Sequence, residues 1–473
     1  MKLTRLLPKI LLGLFIFILA FLAVSLAPAD QTPYPQTDAY HQTIQRLDAL
    51  QAAKPRPSAP PLPLPVSDDS ITPLRNFSTM PTLKAGWAKI ALTPSAPTPT
   101  AGYGVRNGQP YASIHDSVFV RAIVLDNGLT HVAIVSADLL IMPPTVTARL
   151  NEKLPRIGYS LAQTYLGATH THNSLGGWGE RTAGRIFAGE YNPATVEWIA
   201  DRIVEAIAAA QRRLTPARTG FAQIYQADMV RNRLVGSKGT IDPFIRLLKI
   251  QKITGETALL CTYAAHSTTI EPSQVVLSRD WPGALVDSLE RQKSVQFAQY
   301  MAGAVGSMAP LEEGKTDWEE LRNQALGLQL EIQRVLPHIR LRADSTLRLV
   351  SLPLNLREPQ WRVFGQLKMR YWLWKLVYGD YPNDLKALRI GNTLLLGVPA
   401  DFSGEMVAGL QNISRQQGLN LVITSFNGGY IGYVTPDKYY RLDAYETYTM
   451  NWFGPGTGSY FDELMQRLIR LIS

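Results

Sequence analysis

Residues 159–177 read YSLAQTYLGATHTHNSLGG, and the rest of the chain is organised around them. The first part of this stretch predicts a β-strand that ends near Gly167. The chain holds only seven histidines, and His170 and His172 follow this strand two positions apart. On extended backbone, residues two apart point to the same side, so both imidazoles would face one point. Such a pair is either a metal ligand with a proton shuttle beside it or an ordinary hydrogen-bonded pair.

Further strand and helix patterns lie on both sides of this stretch. Residues 121–125 and 132–136 are apolar runs that flank Asn127-Gly128, a dipeptide typical of a two-residue hairpin turn. Other strand patterns are at residues 88–92, 218–226, 244–252 and 256–264, and helical patterns are at 143–154 and 194–213. Hairpins with intervening helices predict an α/β fold, in which mixed β-sheets are covered by α-helices in one large domain over residues 84–473.

The composition limits the classes of partner. A length of 473 residues suggests one large or two ordinary domains, and a hydrophobic content of 46% allows a sizeable core. The formal net charge is +9, but the folded part has no long Lys/Arg block, so we expect no nucleic-acid partner. Attraction to anionic lipid is a milder consequence of this charge. The single cysteine, Cys261, excludes an intrachain disulfide and any cysteine-rich metal site.

The N-terminus has the pattern of a membrane anchor. Lys2, Arg5 and Lys9 precede an apolar run over residues 10–27, and no further Lys or Arg follows until Arg46. The positive-inside rule then places the N-terminus in the cytoplasm and the rest of the chain on the periplasmic or extracellular side. We therefore interpret residues 1–29 as an uncleaved anchor. A cleaved signal peptide is the alternative, because small residues are spaced suitably at residues 27–29.

Residues 30–83 are interpreted as a tether between this anchor and the large domain. Residues 54–65 are rich in proline and favour an extended, semi-rigid backbone, which would hold the domain off the bilayer. Ahead of them, Tyr40, Ile44, Leu47 and Leu50 have the spacing of a short amphipathic helix.

Several polar residues follow predicted strands and are candidates for chemistry. His266 ends the apolar run at 256–264 and is either a ligand or a packed histidine. Asp401 precedes a helical pattern and could be a helix cap, a ligand or both, with Glu405 as an alternative carboxylate. Asp280 is explained well as a helix cap. Ser307 follows a glycine, but Ala309 occupies the last position of the Gly-x-Ser-x-Gly pattern of serine hydrolases.

These pieces, taken in order, resemble the neutral/alkaline non-lysosomal ceramidase family. The matching segments run across most of residues 84–465 and are Gly102-Tyr103-Gly104, Ile114-His115-Asp116, Thr169-His170-Thr171-His172, Asn232-Arg233, Ala265-His266, Asp280 with Gly283, 306–310, 399–402, 433–435, Tyr445-Glu446 and Phe453-Gly454-Pro455. Each motif alone is weak, whereas their ordered set is quite specific. Larger members also carry a C-terminal immunoglobulin-like domain, which we do not expect here.

The resemblance implies a zinc amidase that cleaves the N-acyl amide of ceramide or a related sphingoid lipid through a metal-bound water. The zinc ligands carried over by position are His170, His266, Asp401 and Tyr433. The family has Glu where this chain has Asp401, so a shorter side chain must reach the metal. In place of the family's Gly-Asp-x-Ser-Pro, residues 306–310 read Gly-Ser-Met-Ala-Pro, which makes Ser307 and Ala309 candidate substrate-binding positions.

The chemistry of these residue types agrees with the implied reaction. Two imidazoles, a carboxylate and a phenol can hold zinc and leave room for water. His172, beside His170, is a candidate to move a proton from that water to the leaving amine. Arg233 and Tyr445 are candidates to stabilise the oxyanion of the tetrahedral intermediate. The expected partners are an N-acyl lipid substrate and a membrane surface.

Two alternatives to this reaction remain open at this point. One is a serine hydrolase that uses Ser307, His172 and Asp280, and the other is a catalytically inactive, membrane-tethered lipid-binding protein. A further expectation concerns residues 360–378, in which tryptophans, tyrosines and basic residues alternate with aliphatic residues. This pattern is typical of a segment at a membrane interface, although a core helix with snorkelling cations would produce it as well.

Overall fold

Two mixed β-sheets stacked face to face form the centre of the computed structural model, which describes residues 3–53, 82–311 and 313–473. The proline-rich run at residues 54–65 lies outside the described residues. The α-helices are α1 (Leu3–Ser25), α2 (Asp38–Ala52), α3 (Pro144–Lys153), α4 (Thr182–Ala188), α5 (Pro193–Gln211), α6 (Asp280–Glu290), α7 (Asp317–Val335), α8 (Tyr371–Val377), α9 (Val407–Gln416) and α10 (Thr457–Ile472).

The described strands include eleven of only two or three residues that connect loops to the sheets or to one another. They are β1 (Leu26–Pro28), β2 (Lys84–Ala91), β3 (Thr100–Gly102), β4 (Ser113–Ile114), β5 (Phe119–Asp126), β6 (His131–Ala137), β7 (Thr164–Ala168), β8 (Asn173–Leu175), β9 (Thr215–Tyr225), β10 (Arg231–Asn232), β11 (Phe244–Lys252), β12 (Thr257–Tyr263), β13 (Val276–Leu277), β14 (Phe297–Ala302), β15 (Met308–Ala309), β16 (Leu347–Pro353), β17 (Arg362–Phe364), β18 (Leu367–Met369), β19 (Asp384–Ile390), β20 (Thr393–Gly397), β21 (Asp401–Phe402), β22 (Asn420–Thr424) and β23 (Tyr433–Val434).

The larger sheet has eight strands in the order β14-β12-β11-β9-β2-β5-β6-β7. Its two end pairs, β12 with β14 and β6 with β7, are parallel, and the pairs between them are antiparallel. The hairpin predicted around Asn127-Gly128 is confirmed as β5 and β6, and Gly128 supplies the positive φ of 84° that its turn requires. The smaller sheet has the order β16-β19-β20-β22, with only β20 and β22 parallel.

Alternation of side chains along the strands decides which layer each face contacts. On β5, Val120, Ala122 and Val124 pack in the cluster that contains the apolar faces of α3, α5, α6 and α7. The intervening Ile123 and Leu125 pack instead with residues of the smaller sheet. On the smaller sheet, Leu395 belongs to this central layer, while Leu394 and Leu396 pack under α2, α9 and α10. The result is helices, sheet, sheet and helices in four layers, which confirms the predicted class of mixed sheets covered by helices.

Residues 30–53 pack against the helices of the smaller sheet, so the prediction of a continuous tether was wrong for this part. Tyr34 is buried and its ring stacks on Tyr460 at a centroid distance of 4.2 Å. The helix predicted in this segment is present as α2, and Leu47 on its apolar face is buried in the cluster around α10. Burial of the apolar face of α2 fixes this segment on the domain. In an exposed tether, the same apolar face would be in contact with water.

The apolar run predicted as an anchor forms most of α1, and the chain then enters β1. Among the residues that the structure describes, no helix is both long and apolar enough to cross a bilayer, so the predicted anchor is not supported. Strand β1 pairs antiparallel with β18, with Leu26 opposite Met369 and Pro28 opposite Leu367. The end of α1 is therefore fixed to a hairpin that lies more than three hundred residues further along the chain.

Candidate metal centre and active site

The candidate site lies where the chain leaves β7, β12 and β20. The two edges of the larger sheet approach each other here, because Ser136 on β6 donates a 2.6 Å hydrogen bond to the carbonyl oxygen of Tyr300 on β14. This approach brings the loop after β7, with His170, against the loop after β12, with His266. Both side chains are buried, and their ring centroids are 4.7 Å apart. The prediction that these two histidines lie at the ends of separate strands is confirmed.

The backbone at His170 is strained, with a φ of 63° in the left-handed region. A non-glycine residue there costs roughly 1–2 kcal/mol, and such strain is concentrated at functional sites. The prediction that extended backbone brings His170 and His172 together was therefore wrong. The left-handed residue turns the chain, and the Nε2 atoms of the two rings still lie 3.2 Å apart.

Hydrogen bonds at the back of two rings fix their tautomers. His170 Nδ1 lies 2.6 Å from the carbonyl oxygen of Leu140, and His266 Nδ1 lies 2.8 Å from that of Met308. Because a carbonyl oxygen only accepts, each Nδ1 carries the proton and each Nε2 presents a lone pair to the site. Burial lowers the pKa of His170 to about 3 and the pKa of His266 well below its usual value, so both rings are neutral at neutral pH.

Asp401 and Tyr433 reach the same point from the smaller sheet's side of the molecule. They are direct partners in the parallel pair of β21 and β23, which follow β20 and β22. Gly306 packs so closely on the Asp401 backbone that a Cβ atom there would lie 2.4 Å from the carbonyl oxygen of Asp401. This close approach holds β21 against the loop after β14.

The two oxygens of the Asp401 carboxylate have different surroundings. Oδ2 accepts a 2.7 Å hydrogen bond from the hydroxyl of Tyr430. Oδ1 is buried without any hydrogen-bond partner among the described residues, 3.3 Å from His266 Nε2 and 3.6 Å from His170 Nε2. Burial raises the pKa of this carboxyl, and the neighbouring His170 opposes that rise.

These atoms fit a metal ion. Asp401 Oδ1 and the two Nε2 lone pairs face one another as acceptors, an arrangement that a bound cation relieves. The Tyr433 hydroxyl is 3.2 Å from His266 Nε2, so all four predicted ligands converge. A tetrahedral zinc with bonds of about 2.0–2.1 Å has ligand atoms roughly 3.3–3.4 Å apart, which matches these separations. The ring nitrogens of His170, His172 and His266 also lie within 4.8 Å of one another, so His172 is a further candidate ligand.

Arg233 is held beside Tyr433 by two hydrogen bonds. Its Nη2 donates to the Tyr433 hydroxyl at 2.8 Å, and its Nε donates to Glu446 Oε1 at 2.7 Å. Burial alone would lower the pKa of Arg233, but Tyr433, Glu446 and Asp401 raise it, so the guanidinium stays charged. The Tyr445 ring lies 5.7 Å from the Tyr433 ring, at the entrance of the site. Arg233 and Tyr445 are thus close to the predicted ligands, as expected for oxyanion donors.

A cavity of about 200 Å³ leads from these residues to the surface. Its inner end is lined by His170, His172, Asp401 and Tyr433, and the half-exposed Tyr445 lines it nearer the surface. The walls are mainly apolar and aromatic, and they include Trp178, Phe187, Trp361, Tyr378 and Trp452. An apolar channel that ends at a cluster of ligand atoms suits a substrate with a long hydrocarbon chain and one polar reacting group.

The residues of the alternative serine hydrolase do not come together. Ser307 Oγ is buried and pairs with Ser403 Oγ at 2.5 Å, and His172 Nε2 faces His170. The Asp280 carboxylate accepts hydrogen bonds from Thr269 and from the backbone of the loop after His266. No nucleophile–base–acid chain therefore links these three residues. Neither Ser307 nor the buried Ala309 lines the cavity, so the structure does not bring these two predicted substrate-binding positions to it.

Two residues that support the site were not predicted from the sequence. Tyr430 orients Asp401, and Glu446 orients Arg233. Both lie after β22, where Tyr430 precedes the candidate ligand Tyr433 by three residues. Glu405, considered as an alternative carboxylate, points elsewhere and accepts a 3.0 Å hydrogen bond from Asn232 Nδ2.

The fold and the site define an α/β protein with a buried cluster of metal-ligating side chains at the end of an apolar cavity. A family model described as neutral/alkaline non-lysosomal ceramidase, N-terminal, matches residues 85–317. The neutral ceramidase of Pseudomonas aeruginosa is 28% identical over 229 residues, which are 44% of this chain and 34% of that protein. The neutral ceramidase of Mycobacterium tuberculosis is 25% identical over 221 residues, which are 43% of this chain and 34% of that protein.

The alignments thus span about a third of the length of these curated relatives. The crystal structure of the Pseudomonas aeruginosa neutral ceramidase superposes with a TM-score of 0.71 at 21% identity and covers 83% of this chain and 74% of that one. A structure of a ceramidase complexed with C2 gives a TM-score of 0.71 at 19% identity, over 81% and 74% of the two chains. Residues 85–317 thus match the N-terminal part of the neutral/alkaline non-lysosomal ceramidase family, and most of the chain has a fold similar to that of a solved neutral ceramidase.

Proposed function

We propose that this protein is a zinc-dependent amidohydrolase that cleaves the N-acyl amide bond of ceramide or a related sphingoid lipid. The observation that carries the proposal is Asp401 Oδ1, which has no hydrogen-bond partner in the described part of the chain and faces two imidazole lone pairs at the inner end of an apolar cavity. His170, His266, Asp401 and Tyr433 would hold the ion. When bound, zinc supplies Lewis acidity and lowers the pKa of a water ligand to about 7.

The other residues of the site have separate roles in amide cleavage. His172 Nε2 faces the ligand cluster, while burial keeps its pKa well below the usual value and its Nδ1 has no partner among the described residues. The neutral ring is positioned to accept a proton from water and to deliver it to the departing sphingoid amine. Arg233, fixed by Glu446, offers a charged donor to the oxygen of the amide carbonyl as negative charge develops there. The apolar walls exclude water around the acyl chain.

The experiment combines metal content with hydrolysis of N-acyl-sphingosine by the purified full-length protein. We expect about one zinc per chain and amide turnover in the parent. His170→Ala and His266→Ala should lose both, whereas His172→Ala should lose rate and keep metal. His41→Ala, on the distant helix α2, is the matched control and should change neither quantity.

Three outcomes would contradict the proposal. Full zinc occupancy in a protein with both His170→Ala and His266→Ala would exclude the site. Amide turnover by a stringently metal-free protein would exclude the metal's part in it. A zinc-loaded parent that turns over none of a series of N-acyl lipids would favour the inactive lipid-binding homologue instead.

A further inference from the structure

The segment over residues 361–378 has two different faces. Its first and last residues, Trp361 and Tyr378, line the cavity. Between them, the turn of the β17–β18 hairpin and the helix α8 project apolar side chains into solvent. Phe364 at the turn is 66% exposed, and Leu376 on α8 is 58% exposed. Leu367 and Trp372 are exposed as well. One continuous stretch of chain therefore forms part of the cavity wall and part of an apolar surface beside it.

Helix α1 is attached to this same segment. Strand β1 continues from α1 and pairs with β18, and the Trp372 indole Nε1 donates a 3.0 Å hydrogen bond to the carbonyl oxygen of Val24. Arg370 adds a backbone hydrogen bond to Ser25 and a side-chain hydrogen bond to Leu26. These contacts fix the C-terminal end of α1 to the wall of the cavity.

The described part of α1 is apolar on all sides and exposed. From Ile10 to Val24, twelve large apolar side chains have no covering layer of protein among the described residues. A helix that is hydrophobic all round is stable only when it is buried in protein or in lipid. Both α1 and its neighbour α8 carry exposed basic side chains next to the apolar ones, namely Lys9, Arg370 and Lys375. Apolar surface flanked by Lys and Arg matches the interface of a bilayer that contains anionic lipid.

Exposed residues beside this segment also line the cavity. Helix α8 contacts α4, and the exposed Ile186 of α4 lines the outer part of the cavity. We propose that α1, the β17–β18 turn and α8 form one lipid-binding surface that seats the cavity opening directly on an anionic bilayer. This surface extends the proposed function. The identity of the lipid that enters the cavity rests on that proposed function. A substrate would pass from the bilayer over α8 to the site without crossing water.

Single labels test whether this surface reaches lipid in the full-length protein. Phe364→Cys and Leu376→Cys place a thiol in the surface, and Leu129→Cys and Ile253→Cys are controls at apolar side chains that are 87% and 69% exposed in loops of the larger sheet. The native Cys261 is buried, and burial raises the pKa of its thiol to about 12, so it stays unlabelled. Each variant carries an environment-sensitive fluorophore and is mixed with vesicles of phosphatidylcholine and phosphatidylglycerol.

We expect a blue shift and a rise in intensity of at least about twofold at positions 364 and 376, with quenching by brominated lipid, and no change at 129 and 253. Labels that remain in a water-like environment on vesicle-bound protein would overturn the proposal, because α1 alone would then account for binding. A shift at all four positions, or no binding to vesicles, would overturn it as well.

Charge substitutions give an independent readout by vesicle flotation. Phe364→Asp and Leu376→Asp should each reduce partitioning into vesicles at least about tenfold, since a carboxylate replaces apolar surface that the bilayer would bury. Leu129→Asp should not change the partitioning. Unchanged partitioning in both variants would contradict the surface. Neither readout needs turnover, so a protein that binds as expected and fails to hydrolyse N-acyl lipids in detergent micelles would refute the proposed function and leave the surface standing.

Discussion

Tyr430→Phe removes one hydroxyl and tests how the Asp401 carboxylate is held. That hydroxyl donates the 2.7 Å hydrogen bond to Oδ2, which leaves Oδ1 directed at His170 and His266. In the variant, the carboxylate loses the hydrogen bond from Tyr430 and can rotate away from the two imidazoles. A hydrogen bond to a charged group contributes about 1.5–3 kcal/mol, which corresponds to roughly a tenfold to hundredfold change in an equilibrium constant. Outer partners of metal ligands have effects of the same size, about 10–100-fold in affinity.

The assay is competition for zinc between the protein and a chromophoric chelator at neutral pH, with circular dichroism to verify the fold. The matched control is Tyr159→Phe, because the buried Tyr159 hydroxyl has no hydrogen-bond partner among the described residues and its loss should leave zinc affinity unchanged. An affinity of Tyr430→Phe within about a factor of two of the parent, with the fold intact, would refute the assigned orientation of Asp401.

Three further changes probe the surroundings of the site. Glu446→Gln removes the charge that holds Arg233 Nε, so kcat should fall about tenfold with little change in KM, and an unchanged kcat would show that Arg233 needs no such partner. Ser307→Ala should leave kcat unchanged within about a factor of two, because Ser307 Oγ pairs with Ser403. Loss of activity with zinc retained would instead support the hypothesis that Ser307 is the nucleophile. For Asp138, which faces Arg279, Arg121, Asp116 and the amide of Phe119, burial raises the pKa from 3.8 to about 6. The stability that Asp138 contributes is therefore present below pH 3.8 and is lost as the pH rises through about 6. Over that range, the free energy of unfolding of Asp138→Asn should rise relative to that of the parent by up to about 3 kcal/mol. A difference in the free energy of unfolding that does not change with pH would contradict this.

Local patterns predicted the elements that position the histidines. The hairpin of β5 and β6 followed from Asn127-Gly128 between two apolar runs, and the strand before His170 followed from its apolar composition. Both signals are contained within about ten residues, a range over which periodicity and turn chemistry act. The family resemblance then supplied Asp401 and Tyr433, which no local pattern distinguishes from a helix cap and a packed tyrosine.

Long-range pairing could not be predicted from the sequence. The direct register of Asp401 with Tyr433 depends on how β20 and β22 stack on the larger sheet, and it explains how an aspartate reaches the ligand cluster without a longer arm. The support of Arg233 by Glu446 joins positions 213 residues apart. The docking of residues 30–53 was missed because a proline-rich neighbour suggested an extended chain, although the apolar face of α2 had a partner in α10.

The four candidate ligands come from both halves of the molecule, so a metal ion bound by them would act as a crosslink. His170 and His266 follow strands of the larger sheet, whereas Asp401 and Tyr433 follow strands of the smaller one. An ion shared between them is released when either half opens, so it stabilises the folded chain by mass action, by about 4 kcal/mol at a free metal concentration a thousand times the Kd. Metal supply would then affect the lifetime of the protein as well as its rate of catalysis. In the metal-free protein, the two sheets would separate more readily at their junction, and proteases could cleave the exposed chain there.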